Sequence, residues 1–277
     1  MPDIFRQLNA DNGVLYTWYE AMHTRIDLIL CDRSENHCQE TAHQIKQEIA
    51  RQEKIADRFN PDSELYLLNR TACLHPVVVS EELFHILSDC FDLYERTCQC
   101  FDITVQSTIQ QEDRVGCVIM DQDQQTVYFS KQGITLDLCG YIKGYTLDKI
   151  RTILKEQSIQ DALISLGTSS VLAIGNHPAG KGWMVNEVLL TDEVLTTSGN
   201  NRTDRQHIRN PRNGKFITGQ KEISVITPTG AEGEALSTAL FAATPAEQSC
   251  ILANFSKKYV TTCNLCTNNH DKHTLPL

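Results

Sequence analysis

Ile134–Asp148, ITLDLCGYIKGYTLD, is the stretch in which the hydrophobic pattern changes its period. Apolar residues alternate with polar ones over Ile134–Leu138, which predicts a buried strand. Gly140 and Gly144 then enclose Lys143, and apolar residues continue at helical spacing. The apolar positions of this predicted helix are Leu147, Ile150 and Leu154. The stretch therefore predicts a strand, a glycine turn and a helix in succession.

The turn between these two elements has the composition of a phosphate site. Glycine lets backbone N–H groups approach a ligand closely, and a helix N-terminus carries partial positive charge. Lys143 would add a full positive charge at the same place. Because strand–glycine–helix junctions are also common in α/β proteins that bind nothing, the stretch alone leaves both interpretations open.

Composition limits the classes of protein to consider. The chain has 277 residues, of which 41% are hydrophobic, enough for one large domain or two small ones. The formal net charge of −10 argues against nucleic-acid binding, which needs a basic surface. An acidic chain that holds an anionic ligand must supply local cations or a metal ion. No apolar run approaches the roughly 20 residues of a membrane helix, so membrane insertion is not expected.

The N-terminus and the cysteines predict a cytoplasmic protein. The first residues, MPDIFRQLNADNG, contain no basic region followed by an apolar one, so no signal peptide is expected unless a precursor segment has been removed. The 11 cysteines are odd in number, and most fall within periodic apolar segments. Examples are Cys38, Cys90, Cys117, Cys139 and Cys250. Reduced, buried thiols of this kind behave as small hydrophobic side chains.

Strands and helices follow one another without regular βαβ alternation, which predicts an α+β fold. Predicted strands cover Arg25–Leu30, Ala162–Leu166, Val171–Ile174, Met184–Leu190 and Ile223–Thr227, and a hairpin joins Val115–Met120 to Thr126–Ser130. Predicted helices begin near Ser34 (with an apolar stripe as far as Phe59), after the cap Ser80, at Glu234 and at the capping box Thr244–Glu247. No linker or internal repeat divides the chain, so a single domain over 1–277 is expected, with 256–277 as its tail.

Four further segments carry side chains suited to binding. In Glu234-Ala-Leu-Ser-Thr238, a carboxylate and a hydroxyl at i and i+4 share a helix face and form a hard-oxygen pair suited to Mg²⁺. Thr196–Asn200 places hydroxyls and N–H groups after a predicted strand. His207–Gly214 sets a histidine, a possible general base near neutral pH, beside a tight turn. Phe59–Leu65 leaves a helix through a turn. Each segment alone is also explained as an ordinary cap or turn.

The order of these segments resembles that of the ApbE family of FAD:protein FMN transferases. Eight segments match in family order and cover roughly residues 20–245. They are AMHT (Ala21–Thr24), DRFNPDSELYLLN (Asp57–Asn69), FDITV (Phe101–Val105), ITLDLCGYIKGYTLD (Ile134–Asp148), ALISLG (Ala162–Gly167), TTSGN (Thr196–Asn200), HIRNPRNG (His207–Gly214) and ISVITPTGAEGEALSTALF (Ile223–Phe241).

The resemblance implies a fold, a reaction and a metal site. The fold is a single α+β domain in which mixed sheets are flanked by helices and FAD lies in a cleft. The reaction is Mg²⁺-dependent transfer of FMN from FAD to a threonine hydroxyl of an acceptor protein, with release of AMP. The implied metal ligands are Glu234, Thr238 and the carbonyl of Gly140.

The resemblance also implies residues around the cofactor. Lys143 matches the family lysine beside the flavin nucleotide, and His207 matches the histidine proposed as the base for the acceptor hydroxyl, so both are expected to take part in catalysis. The residues expected to bind FAD besides Lys143 are Met22, Phe59, Thr197, Ser198 and Gly199.

Several positions depart from the family pattern and leave a second interpretation open. Tyr141 stands where a small residue gives the ligand room. Thr168 and Ser169 replace a glycine and an asparagine, and Asn210 replaces an aspartate. The alternative to an active enzyme is therefore a family member that binds flavin or a protein partner without catalysis.

The tail contains a Cys-x-x-Cys pair, Cys263 and Cys266, followed by His270 and His273. Both intervals after Cys266 are shorter than in standard C₂H₂ zinc sites. Residues 260–266 also alternate as one face of an edge strand. A zinc-bearing tail that docks a partner and a plain edge strand both remain open.

Overall fold

The structure is a computed structural model that describes residues 4–9, 12–109, 114–200, 208–219, 221–255, 259–264 and 273–275, the last two ranges by their backbone alone. Its strands are β1 (Ile4–Asn9), β2 (Asn12–Ala21), β3 (Thr24–Asp32), β4 (Val77–Val78), β5 (Val118–Asp121), β6 (Thr126–Phe129), β7 (Asp161–Leu166), β8 (Ser170–Ile174), β9 (Trp183–Val185), β10 (Val188–Leu190), β11 (Val194–Asn200), β12 (Lys221–Thr227), β13 (Tyr259–Asn264) and β14 (His273–Leu275). Its helices are α1 (Glu35–Ala56), α2 (Glu64–Thr71), α3 (Glu81–Arg96), α4 (Ile142–Glu156), α5 (Gly230–Ala242) and α6 (Pro245–Ala253).

One antiparallel sheet organises these elements. Nine strands of the described chain form it in the order β1-β2-β3-β7-β8-β11-β12-β13-β14. A smaller sheet has the order β4-β6-β5, and β9 pairs with β10. The predicted α+β class is confirmed, since sheets and helices are both present and the strands of the main sheet pair without βαβ crossovers.

Two apolar layers hold the helices against the sheets. On the main sheet, Ile26 and Leu28 of β3 are fully buried and belong to one cluster with Ile45 of α1 and Leu147 of α4. A second cluster joins α2, α3 and α5 to the small sheet and contains, for example, Leu87. Burial of such side chains contributes about 1.5–3 kcal/mol each before conformational entropy is counted.

Helix starts follow the predicted caps. The side chains of Ser34, Ser80 and Thr244 each accept a hydrogen bond from the N–H three residues ahead, and Thr244 forms the predicted capping box with Glu247. The first helix ends at Ala56, so the predicted stripe to Phe59 was one turn too long. No helix within the described ranges is long and apolar enough to cross a bilayer.

The residues Ile134–Leu138, predicted as a strand, form no strand and belong to no sheet of the described chain. Their alternation is real, because Ile134, Leu136 and Leu138 are at most 3% exposed. Their hydrogen bonds go elsewhere: the Asn69 side chain accepts from Leu136 N–H and donates to the Leu136 carbonyl. One amide side chain thus replaces part of a partner strand.

Two further strand predictions were wrong in detail. Met184–Leu190 is two strands rather than one, because Asn186 and Glu187 adopt positive φ (+49° and +66°) and turn β9 back onto β10. The segment Tyr259–Asn264 is not an edge strand, since it pairs with β12 on one side and β14 on the other. The tail residues Cys266 and His270 lie outside the described residues, so the zinc question stays open.

The cysteine prediction holds in part. Cys38, Cys90 and Cys117 are buried and form no disulfide among the described residues. Cys139 and Cys250 are exposed instead, the first in the turn before α4 and the second on α6. The expectation that these two were buried was wrong, because apolar neighbours in the sequence do not fix which face of a helix or turn meets solvent.

Candidate active site

A cleft of about 1060 Å³ opens beside the main sheet. Eight parts of the described chain contribute to its walls. They are the β2–β3 turn, the segments 100–106 and 137–143, the β7–β8 turn, the tip of the β9–β10 hairpin, β11 with β12, the segment 208–211, and α5. The volume lies at the upper end of the range for small-molecule sites, roughly 300–1,000 Å³.

Lys143 and Glu234 meet at the floor of this cleft. Lys143 Nζ lies 3.1 Å from Glu234 Oε1, and the Glu234 carboxylate is only 4% exposed. Two hydroxyls complete the network, since Lys143 Nζ donates to Ser169 Oγ at 2.6 Å and to Ser170 Oγ at 2.9 Å. Ser170 in turn donates to Glu234 Oε1. A buried carboxylate is thus neutralised by an ammonium group and a hydroxyl.

Thr238 lies one turn after Glu234 on α5, and both residues line the cleft. Its hydroxyl is 3.1 Å from Ser198 Oγ. Gly140 faces the same place, since a Cβ added there would lie 3.4 Å from Thr238 Oγ1. The three positions implied as metal ligands are therefore neighbours in space.

These oxygens suit a hard divalent cation. All hydrogen bonds that the Glu234 carboxylate receives from described residues go to Oε1, which leaves Oε2 without one. A carboxylate oxygen, a hydroxyl and a backbone carbonyl form the oxygen set that Mg²⁺ prefers, and Mg²⁺ usually retains waters beside them. Within the described part of the chain, no cluster of three His, Cys, Asp or Glu side chains offers another metal site.

The positions of α4 and α5 are fixed by glycine and by an aspartate cap. A Cβ on Gly144 would lie 2.0 Å from the Gly230 carbonyl oxygen, so the two helices touch at their backbones. Asp148 of α4 accepts hydrogen bonds from the N–H groups of Gly230 and Ala231, the first residues of α5. Gly144 therefore serves the packing of two helices and not, as the sequence suggested, the approach to a phosphate.

Burial works against the charge on that capping carboxylate. The pKa of Asp148 is raised by burial, although the two backbone N–H groups pull it down. Burial between the helices therefore opposes ionisation of this cap, and the two N–H groups favour it.

Thr197, Ser198 and Gly199 lie within β11 rather than after a strand, as had been predicted. The register pairs β8 with β11 only as far as Thr196, and the Thr197 N–H donates to the Ser169 carbonyl. Beyond this point the described chain pairs β11 on one side only, with β12. The other edge, with all three predicted residues, borders the cleft.

Met22 lines the cleft and Phe59 does not. Met22 and His23 form the two-residue turn between β2 and β3 with positive φ, and Met22 N–H donates to Glu53 Oε1. Phe59 is 58% exposed, with its ring edge-on to that of His23 at a centroid distance of 6.1 Å. It touches a lining residue rather than the cleft itself.

His207, the predicted base, lies outside the described residues. The chain resumes at Ile208, which lines the cleft together with Arg209 and Pro211. Arg114 donates to the Pro211 carbonyl and pairs with Asp102 at 2.8 Å, so the segment that follows His207 is tied to the opposite wall.

Tyr141 does not narrow the cleft as its bulk suggested. Its side chain is fully buried, stacks on Tyr145 and donates to Asp89 of α3 at 3.1 Å. The substitution is absorbed by the core behind α4, and the cleft keeps its room.

Sequence reasoning missed the contribution of Ser169 and Ser170. They follow a turn at the end of β7, where serine is common for local reasons. The departure of Ser169 from the family pattern was the available signal, and the structure shows that both hydroxyls bind Lys143. Cys139 also lines the cleft.

Comparison with known proteins finds relatives that are named FAD:protein FMN transferase. The FAD:protein FMN transferase of Chlamydia muridarum (strain MoPn / Nigg) is 25% identical over 226 residues, covering 68% of this chain and 71% of that protein. A FAD:protein FMN transferase of Klebsiella pneumoniae (strain 342) is 24% identical over 243 residues, covering 74% and 76%.

Solved structures share the fold. The flavin transferase ApbE from Vibrio cholerae superposes with a TM-score of 0.79 at 15% identity, covering 95% of this chain and 97% of that one. The apo form of the Pseudomonas stutzeri flavinyl transferase ApbE gives 0.80 at 17% identity, covering 97% and 96%. The model of the ApbE family matches residues 22–261, and the chain belongs to this family.

Proposed function

We propose that this chain is an FAD:protein FMN transferase. In this proposal it cleaves FAD in an Mg²⁺-dependent reaction, transfers FMN to a threonine hydroxyl of an acceptor protein and releases AMP. The observation that carries the proposal is the contact between Lys143 and Glu234 on the floor of a large cleft, with the Thr238 hydroxyl one helical turn away.

The cleft has the size and the charges that a dinucleotide requires. Its volume of about 1060 Å³ accommodates a ligand with two nucleotide halves. The ammonium of Lys143 would contact a phosphate of the diphosphate and offset its charge in a chain whose net charge is −10. The open edge of β11 would add the hydroxyls of Thr197 and Ser198 as donors to the ligand.

Glu234, Thr238 and the Gly140 carbonyl would hold Mg²⁺. Bound there, Mg²⁺ would supply positive charge at the diphosphate and lower the barrier to phosphoryl transfer. Ser170 and Lys143 hold Oε1 of Glu234 in place, so the carboxylate is oriented before any ligand arrives. This preorganisation favours catalysis over mere binding.

The reaction then needs a nucleophile and a base. The acceptor hydroxyl attacks the phosphorus of the FMN half, the bond to the AMP oxygen breaks, and the hydroxyl proton passes to a base. We assign this base to His207, which directly precedes the lining residue Ile208 in the chain. The products are FMN joined to the acceptor through a phosphoester and free AMP.

The test compares two glutamates of the same helix. Glu234→Gln keeps the shape of the side chain and removes its charge, whereas Glu232→Gln changes a residue that pairs with Arg96 and does not line the cleft. Wild type and Glu232→Gln should bind FAD more tightly with Mg²⁺ and release AMP when a threonine-bearing acceptor is present. Glu234→Gln should lose about 100-fold or more in AMP release.

Isothermal titration with FAD and chromatography of AMP give the two readouts. The absence of binding heat, with or without Mg²⁺, would rule out FAD as the ligand. Binding without AMP release in the presence of many threonine-bearing peptides would favour the non-catalytic alternative. Equal AMP release by Glu234→Gln and wild type would overturn the assigned metal site.

A further inference from the structure

Two thiols from distant parts of the chain meet at the surface beyond the cleft. Cys98 Sγ and Cys250 Sγ lie 2.8 Å apart, although the residues are 152 positions apart in the chain. Cys98 follows the last turn of α3, and Cys250 lies on α6. Cys250 is exposed and Cys98 is partly exposed, so dissolved reagents can reach both sulfurs.

The surrounding contacts hold the two sulfurs in register. Asn254, just after α6, donates to the Arg96 carbonyl at the end of α3 at 2.9 Å. Arg212 donates to the Cys98 carbonyl and pairs with Glu247 of α6 at 2.8 Å. A disulfide has an S–S distance near 2.05 Å, so bond formation requires the sulfurs to approach by about 0.8 Å.

The backbone at Cys98 is itself unusual. Cys98 and Gln99 both have positive φ, +51° and +65°, a region that is costly for residues with a Cβ. This conformation turns the chain away from α3 and directs Cys98 towards α6. Neither residue is a glycine, so the surrounding contacts must maintain the strained turn.

We propose that Cys98 and Cys250 form a redox-active dithiol, which low-molecular-weight disulfides such as oxidised glutathione convert to an intrachain disulfide. Cys250 loses its proton to solvent, and the resulting thiolate attacks one sulfur of the small disulfide and displaces one glutathione thiolate, which takes up a proton from solvent. Cys98 then loses its proton to solvent, attacks the Cys250 sulfur and displaces the second. Two protein thiols are oxidised, and one glutathione disulfide is reduced to two thiols.

The order of attack follows from the hydrogen bond between the sulfurs. That bond to Cys250, with partial burial, raises the pKa of Cys98 to about 11, so Cys98 stays a thiol while its partner is free. Once Cys250 is part of a mixed disulfide, the hydrogen bond between the two thiols is lost. Cys98 can then ionise and close the bond.

The disulfide would restrain the part of the cleft wall that follows Cys98 in the chain. Only Gln99 separates Cys98 from Cys100, and the cleft is lined by Cys100, Phe101 and Asp102. A disulfide would link the segment 98–102 covalently to α6. The sulfur chemistry is nevertheless independent of the proposed transferase activity, and its test does not use that activity.

The test uses the full chain, reduced and then equilibrated in glutathione buffers of increasing oxidation. After acid quenching and alkylation, a non-reducing tryptic digest is analysed by mass spectrometry. Cys98 and Cys100 fall in one tryptic peptide, so single variants assign the bond. The linked peptide pair should form in wild type and Cys100→Ser and be absent from Cys98→Ser and Cys250→Ser.

A thermal scan gives a second readout. Oxidation should raise the melting temperature of the wild type by several degrees and leave that of Cys250→Ser unchanged. Reduced Cys250→Ser should have the same melting temperature as reduced wild type, which would show that the variant folds. Wild type that stays unlinked in the most oxidising buffer, or carries only glutathione adducts, would overturn the proposal, as would a link that persists in Cys98→Ser.

Discussion

At the residue scale, binding in the cleft depends on the hydrogen bonds of one buried carboxylate, that of Glu234. Oε1 of Glu234 accepts hydrogen bonds from Lys143 and Ser170, and Oε2 accepts none from the described residues. A buried carboxylate without partners would be protonated or would destabilise the fold. The ammonium of Lys143 and the hydroxyl of Ser170 therefore offset part of the cost of burying this carboxylate.

Ser170→Ala tests the role of these hydrogen bonds. The hydroxyl is fully buried, donates to Glu234 and accepts from Lys143, so its loss leaves two groups underpaired. We expect a fall of about 1–2 kcal/mol in the free energy of unfolding and roughly 10-fold weaker Mg²⁺-dependent binding of FAD. Denaturant titration and isothermal titration measure the two effects.

Ser169→Ala is the matched control for that variant. Ser169 also accepts from Lys143 but has no hydrogen bond to Glu234 among the described contacts. Its substitution should therefore cost less than that of Ser170 in both measurements. Equal effects of the two substitutions would contradict a special role for the hydroxyl shared with Glu234.

At the element scale, the geometry of the site depends on the close crossing of α4 and α5. The crossing brings Lys143 of one helix to Glu234 of the other, and Gly144 and Gly230 let the backbones touch. Asp148 caps the second helix from the first. Side chains on two helices are thus aligned by contacts that involve no ligand.

Gly144→Ala should separate these helices. The new Cβ would lie 2.0 Å from the Gly230 carbonyl oxygen, a backbone atom that cannot rotate away. We expect a loss of about 3 kcal/mol or more in stability, measured by urea denaturation. Gly180→Ala is the control, since no atom of the described residues lies within 4 Å of its added Cβ, and it should change stability little. A stable Gly144→Ala protein with unchanged FAD binding would contradict the crossing.

Elements whose determinants are local could be predicted from the sequence. The helix α3 was predicted with its cap, because Ser80 and the apolar stripe that follows are neighbours in sequence. The pairing of Ile134–Leu138 could not be predicted, because its partner Asn69 is 67 residues away and is a side chain. The burial of the Tyr141 side chain away from the cleft could not be predicted either, since it depends on contacts with Asp89 and Tyr145 in the folded chain.

The candidate site was predicted from the resemblance more than from the residues. The i, i+4 pair on α5 suggested a cation site, but the meeting of Glu234 with Lys143 required two distant segments to converge. The contacts of Ser169 and Ser170 with Lys143 were not predicted, because a hydroxyl in or beside a turn has an ordinary local explanation. The single-domain boundaries and the role of His207 stay predictions.

At the scale of the whole molecule, a charged network joins three helices. Glu82 of α3 accepts hydrogen bonds from Arg51 and Gln52 of α1 and from Tyr145 of α4. Lys149 of α4 lies 3.4 Å away. Burial raises the pKa of Glu82. The hydrogen bonds from Arg51 and Gln52 and the charges of Arg51 and Lys149 outweigh this effect and lower the pKa from 4.5 to about 2.

This network predicts a pH dependence of stability. Because the pKa is lower in the folded state, the unfolded chain binds more protons, so the contribution of Glu82 is complete above pH 4.5 and is lost as the pH falls towards 2. Glu82→Gln should lower stability by about 2 kcal/mol at neutral pH, less than the full shift implies because water screens part of the site. The difference between wild type and variant should shrink below pH 4.5 in acid-dependent denaturation. A difference independent of pH would contradict the network.

The most direct test of the account is a crystal structure of the chain with FAD and Mn²⁺ in place of Mg²⁺. The anomalous signal of Mn²⁺ locates the cation without reference to any assumed ligand. The account predicts one anomalous peak in contact with Glu234 and Thr238, with the FAD diphosphate between this peak and the Lys143 ammonium. A cation bound elsewhere, or FAD whose diphosphate lies away from Lys143, would contradict it.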